Sequence, residues 1–180
     1  MSENVLVDFP QYLSFKLDAE LYAINIVRVR EVLDLIKITK VPKTPAFMLG
    51  VINLRGSVVP VIDLKVKFDM AAIENTRDTC IIIVNVLLNE EYVTLGLLAD
   101  SVNEVIELAQ DEIEPTPRIG ARISNDFIKG MGKHNEDFIM ILDIDKIFSE
   151  QEILQIQPDQ EPVKATKENK KKVKKTAVEV

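Results

Sequence analysis

The residue types that do chemistry are few in this chain, and they are scattered. His134, the only histidine, follows Gly130-Met131-Gly132-Lys133 in a segment that reads as a turn, with no cysteine or second histidine to share a metal ion. Such isolation favours a plain surface histidine. Gly130-x-Gly132 lacks a third glycine and leads into polar residues and a strand, so it does not make a dinucleotide loop, and no Gly-Lys-Ser/Thr phosphate loop occurs. Asp63 and Asp143 invite an acid–base reading. Each also stands directly before a short helical segment, Leu64–Phe68 or Ile144–Phe148, where an aspartate caps the backbone. Glu31 and Glu104 are each central to a Val-x-Glu-Val-[Leu/Ile]-[Asp/Glu]-Leu segment, with a solvent-facing strand position as the simplest reading. The single cysteine, Cys80, excludes an intramolecular disulfide and adjoins Ile81–Ile83, where a buried small hydrophobe is expected. With the catalytic constellation of an enzyme missing, the residues point to a non-catalytic chain that needs no cofactor or metal and works by binding other proteins.

The elements that hold these residues read as strands. With 180 residues, 47% of them hydrophobic, the chain can bury a sizeable core. Its net charge is −7, yet residues 160–180 carry seven lysines against three acidic residues, so the first 159 residues carry −11. An acidic body argues against sequence-independent binding to nucleic acid. The first residues lack a basic segment followed by a long apolar one, and the longest apolar run, Ile81–Leu88, is broken by Asn85. A cytoplasmic protein without membrane insertion is expected. Tyr12–Leu17 and Leu21–Ile24 predict a hairpin across Asp18-Ala19-Glu20. Asn25 predicts a single helical turn through Val29, then a strand over Arg30–Leu35, although the apolar spacing of Ile26–Leu35 also fits one amphipathic helix. Phe47–Leu54 and Ser57–Leu64 predict strands either side of Arg55-Gly56, with Pro60 at an edge or bulge. Strands are also predicted at Thr79–Leu87, Tyr92–Ala99, Val102–Leu108, Phe127–Gly130 and Phe138–Ile144. Ser149 and Glu152 have capping-box spacing for a C-terminal helix over about 149–157. Residues 1–10 read as an N-terminal extension and 158–180 as a disordered, Lys-rich tail.

An internal repeat organises these strands. Tyr12–Leu17 matches Tyr92–Leu97 at an offset of 80, and Phe47-x-x-Gly50, Val58–Leu64 and Phe68 match Phe127-x-x-Gly130, Phe138–Ile144 and Phe148 at the same offset. Val29–Leu35 matches Val102–Leu108 at 73. Two half-domains are expected, Gln11–Ala72 and Ile73–Ile147, each a small barrel of about five strands. Asp63 and Asp143 then fall in equivalent positions of separate halves, which makes them caps.

Val29-Arg30-Glu31-Val32, then Ile38-Thr39-Lys40-Val41-Pro42-x-x-Pro45, and above all Gly50-Val51-Ile52-Asn53-Leu54-Arg55-Gly56 within Phe47–Leu64 resemble the CheW family. Leu97–Val105, Ile113–Pro117, Phe127–Gly130 and Ile141–Lys146 add to the resemblance, which runs from about Gln11 to Leu154. It implies an all-β fold of two related five-stranded SH3-like barrels with short helices. It also implies a chemotaxis adaptor that couples the cytoplasmic tips of transmembrane chemoreceptors to the regulatory domain of the histidine kinase CheA in membrane-associated arrays. By the same resemblance, a receptor-facing groove between the barrels maps to Ile26, Val29, Glu31 and Val105, with Arg55 nearby. Apolar anchors there would bind a receptor helix and Glu31 would orient a basic residue on it. Kinase contacts map to Ile38 and Gly50 on the first barrel and to Glu114–Ile119 on the second, where Glu114 stands in place of a basic residue of some relatives. An adaptor of a paralogous motility or surface-behaviour kinase is the nearest alternative, and a small-barrel enzyme is the alternative from another class.

Overall fold

The computed structural model describes residues 9–71, 74–116 and 126–157. β1 (Gln11–Leu17) turns at Asp18, whose φ is 59°, into β2 (Glu20–Asn25). The Asn25 side chain accepts a hydrogen bond from the Val27 amide at 3.0 Å and opens one 3-10 turn, Ile26–Arg28. β3 (Val29–Asp34) follows, so a single helix over 26–35 does not form. β4 (Met48–Leu54) and β5 (Ser57–Asp63) make the next hairpin and lead into α1 (Leu64–Lys67). Then come β6 (Cys80–Leu88), β7 (Glu91–Ala99), β8 (Ser101–Glu107), β9 (Ile128–His134) and β10 (Asp137–Leu142). 3-10 turns lie at Gln110–Glu112 and Ile144–Lys146, and α2 (Glu150–Ile156) is held by a reciprocal capping box between Ser149 and Glu152.

The strands form two five-stranded sheets, β8-β1-β2-β10-β9 and β3-β6-β7-β5-β4, the architecture of two SH3-like barrels. Replacing β1 to β5 by β6 to β10 in turn converts one order into the other, so the duplication is present in three dimensions.

It is not arranged as the sequence suggests. Segments 11–72 and 73–147 are not separate barrels, because each half gives its first hairpin to the other: β1 and β2 pair with β8 and β10, while β6 and β7 pair with β3 and β5. The match of Tyr12–Leu17 to 92–97 also fails, since β1 occupies the place of β6, and β7 that of β2. Those segments share only the strand vocabulary of alternating apolar residues. The other two matches hold. β4–β5 and β9–β10 share register at 80, down to a bulge opposite residues 49 and 129, and β3 and β8 are equivalent edge strands.

The exchange explains why β6 opens with five consecutive apolar residues. Cys80 to Val84 are all buried. Ile81 and Ile83 fill one barrel with Ile52, Val59 and Val61, while Ile82, Val84 and Val86 enter the core shared between the barrels. That shared core also takes Leu13, Phe15, Leu17, Ile24, Leu95, Leu97 and the inner faces of both helices. Removing such a side chain from water is worth roughly 1.5–3 kcal/mol each. Aromatic contacts repeat the two-fold relation across the halves, with Phe68 stacked on Phe127 at 4.6 Å and Phe47 against Phe148 at 5.8 Å. Pro60 is neither at a sheet edge nor at the bulge. It faces Val51, whose amide and carbonyl point away to Thr39, and the β5–β7 ladder starts only at Val61, so no partner asks for the missing N–H.

Candidate partner-binding faces

Glu31 lies on β3 and Arg55 in the turn after β4, the two outer strands of one sheet. The turn places Arg55 at φ 49° and Gly56 at φ 86°, and the Asn53 side chain accepts the Gly56 amide at 2.8 Å. From there the guanidinium donates to both oxygens of Glu31, each at 2.7 Å, in a bidentate pair that clasps one edge of the barrel to the other. The hydrogen bond from Arg55 holds the Glu31 carboxyl below the usual range, against a smaller opposing effect of desolvation. Glu31 is therefore engaged within the chain, where it braces the barrel.

The second barrel has the counterpart. Glu104 on β8 meets the His134 ring on β9 at 2.7 Å, and Asn135, at φ 50°, occupies the place of Arg55. β8 and β9 are again the outer strands of their sheet. At the inner end of Glu104, Ser14 Oγ donates to its carbonyl at 2.8 Å and accepts its amide at 3.2 Å, filling the ladder where β1 and β8 slip register. His134 is thus part of a clasp, a role its isolation in the sequence did not suggest.

Of the predicted apolar anchors, Ile26 and Val29 are half-buried against the shared core, as is Val102, the counterpart of Val29. Val105 lies on β8 in the other sheet and is 48% exposed, and its counterpart Val32 on β3 is 41% exposed. Val27, within the 3-10 turn, is 81% exposed. Sequence reading missed Val27 and Val32. Val32 was signalled by its place three residues after Val29, matching Val105 after Val102. Arg28, beside Val27, turns the other way, pairing with Asp145 at 2.5 Å and lying over the Tyr92 ring at 5.4 Å.

Ile38 and Gly50 come together. Thr39 and Val51 exchange two backbone hydrogen bonds of 2.8 Å, which lays the 38–39 segment over β4. Gly50 is buried at φ 148°, and a Cβ there would stand 2.1 Å from the Thr39 carbonyl oxygen. It offers a partner no side chain, and its part in the fold is to admit this segment. Ile38 is half-buried against the core of its barrel. Glu114 repeats the arrangement on the other barrel, exchanging two 2.8 Å hydrogen bonds with Met131 beside Gly130, whose Cβ would meet Ile113 at 2.5 Å. Ile119 lies outside the described residues.

The remaining chemistry-bearing residues have structural roles. Asp63 caps α1 by accepting the Lys65 amide at 2.9 Å, and Asp143 accepts the Asp145 amide at 3.1 Å. Cys80 is buried, and that burial pushes its thiol up. Among the described residues no three His, Cys, Asp or Glu side chains gather to hold a metal ion, and no helix is long and apolar enough to cross a membrane. The arrangement suits recognition of macromolecules through surfaces.

Residues 11–152 match the model of the CheW-like domain. Similar proteins include the chemotaxis protein CheW of Klebsiella aerogenes, 33% identical over 79% of this chain and 84% of that protein. Another is the chemotaxis protein CheW of Helicobacter pylori, 34% identical over 76% of this chain and 80% of that protein. The crystal structure of the scaffolding protein TtCheW from Thermoanaerobacter tengcongensis superposes with a TM-score of 0.73 at 35% identity, covering 84% of this chain and 96% of that one. The family model over residues 11–152, these relatives and the superposed scaffold agree: the chain belongs to the CheW family of chemotaxis scaffold proteins.

Proposed function

We propose that the chain couples chemoreceptors to the histidine kinase CheA, as a cytoplasmic adaptor within membrane-associated receptor arrays. The observation that carries this reading is the set of exposed aliphatic residues: Val27 in the 3-10 turn beside the half-buried Ile26, Val32 on β3 beyond the half-buried Val29, and Val105 on β8 of the other sheet. A receptor helix laid along them would bury its apolar stripe, with Glu31–Arg55 fixing the wall of the site. The kinase would take the faces at Ile38 and Glu114, which occupy equivalent places on the two barrels. Holding both partners raises their effective concentration and fixes their relative orientation, so receptor changes can bias the kinase without any chemistry in the adaptor. The test is sedimentation of kinase with receptor-containing membranes. Recruitment that depends on this chain supports the reading, and recruitment indifferent to it contradicts it. Val105→Glu should weaken attachment of the chain to the membranes about tenfold, the loss expected for an apolar anchor at an interface.

A further inference from the structure

The two equivalent faces at Ile38 and Glu114 are opposite in charge. Their shared bridge to Val51 or Met131 aligns Ile36-Lys37-Ile38-Thr39-Lys40 with Asp111-Glu112-Ile113-Glu114-Pro115. Ile38 and Ile113 both pack into their barrels, so the isoleucine is the structural residue of each segment. Around it Lys37 corresponds to Glu112, while Ile36 and Thr39 give way to Asp111 and Glu114 and Lys40 to Pro115, so one segment is basic and the other acidic. Lys37, Lys40, Asp111, Glu112 and Glu114 are all exposed, and none forms an ion pair among the described residues.

The apolar part diverges as well. Phe138 on β10, opposite Lys133, is 63% exposed, whereas its counterpart is the smaller Val58. Phe138 borders an open cleft of about 530 Å³ lined by Met131 and Pro115 and by the charged Glu112, Glu114 and Lys133. An exposed phenylalanine beside a cleft that carries two unpaired carboxylates against one lysine has the composition of an interface anchor with a charged, net acidic rim.

We infer that the Phe138 cleft determines specificity for the kinase: it takes a surface carrying an apolar side chain flanked by Lys or Arg, and the Lys37/Lys40 face rejects that same surface. This rests on the kinase-coupling function proposed above. Charge complementarity selects the occupant, because a basic rim meets Glu112 and Glu114 favourably and is repelled at Lys37 and Lys40. The two faces are thereby made non-interchangeable on a scaffold whose backbone is duplicated, which fixes the direction in which the chain docks.

The experiment measures the affinity of the full-length chain for full-length kinase at low and at high ionic strength. Variants are Glu112→Lys with Glu114→Lys, Phe138→Ala, and Lys37→Glu with Lys40→Glu. The double glutamate reversal should weaken binding about tenfold or more at low salt, with the deficit shrinking as salt screens the rim. Phe138→Ala should cost about tenfold at both ionic strengths. The lysine reversal changes the other kinase-facing site, so whatever affinity it alters there, the tenfold cost of Phe138→Ala should persist in its background. All five side chains are exposed, so thermal midpoints should stay close to the wild type. Should the glutamate reversal misfold, the milder Glu112→Gln with Glu114→Gln carries the same prediction at reduced size. If the wild-type chain does not bind kinase, the proposed function falls and this inference with it. If the wild type binds and glutamate reversal leaves binding unchanged or tighter, this inference alone is overturned.

Discussion

Glu31 and Arg55 are the residues at which charge, geometry and sheet closure meet. Because the folded carboxyl sits below its ordinary value of 4.5, its contribution to stability is fully present above that value and is lost as pH falls through the lower folded value. Glu31→Gln should therefore lower the thermal midpoint at pH 7, and the difference from wild type should shrink as pH falls below 4.5 and vanish once it has passed the lowered folded value. Midpoints measured across that range check the sign, and a gap that widens in acid contradicts it. At Gly50 the constraint is steric. Gly50→Ala drives a methyl against the Thr39 backbone at a strained φ, so a loss of about 2 kcal/mol or more is expected in denaturant unfolding. Some of this was legible beforehand. Asp63 and Asp143 were readable as caps because capping is local, a matter of two or three residues. The partner of Glu31 is 24 residues away and that of Glu104 is 30 away, and nothing local signals a pair made only by closure of a barrel.

The exchange of the first hairpins makes each sheet depend on strands from both halves. Fragments covering 9–71 or 74–157 should each lack a cooperative thermal transition when produced alone, because β1 loses its neighbour β8 and β6 its neighbour β3, and each first hairpin loses the second strand pair it packs beside. Far-ultraviolet dichroism during heating tests this, and a sharp transition from either fragment would contradict it. At the other end of the chain, Ser149→Ala removes the cap from α2 and should cost about 1 kcal/mol. The Glu152 carboxylate, whose charge is opposed by burial but favoured more strongly by hydrogen bonds from Lys67 and Ser149, keeps the Ser149 backbone amide and Lys67 as donors in that variant. Strand positions were legible to within a few residues because alternation and turn chemistry are local. The exchange was not, since either partner for the β1–β2 hairpin buries the same apolar face of Leu13, Phe15 and Leu17. The offset of 80 between Tyr12 and Tyr92 actively misled, because chance likeness between two apolar strands outweighed the weaker true correspondence of β1 to β6.

For the whole molecule, duplication supplies two equivalent scaffolds, and divergence on them supplies different surfaces. Val32 and Val105 stay apolar on both, while Lys37 and Glu112, or Val58 and Phe138, part in charge and size. The family was legible from the Gly50–Gly56 segment, whose glycines and arginine now have structural reasons: close approach of Thr39, a turn at positive φ, and a clasp to Glu31. The opposite charge of the two faces became visible only once the bridges at Thr39 and Glu114 set the alignment. The central claim is that one chain holds receptor and kinase at the same time, and it is tested most directly by the amount of kinase sedimenting with receptor membranes as the chain is titrated at fixed kinase and receptor. A bridge predicts a rise to a maximum followed by a fall, as excess adaptor saturates each partner separately. Kinase recruitment that does not change at any concentration of the chain would contradict the account.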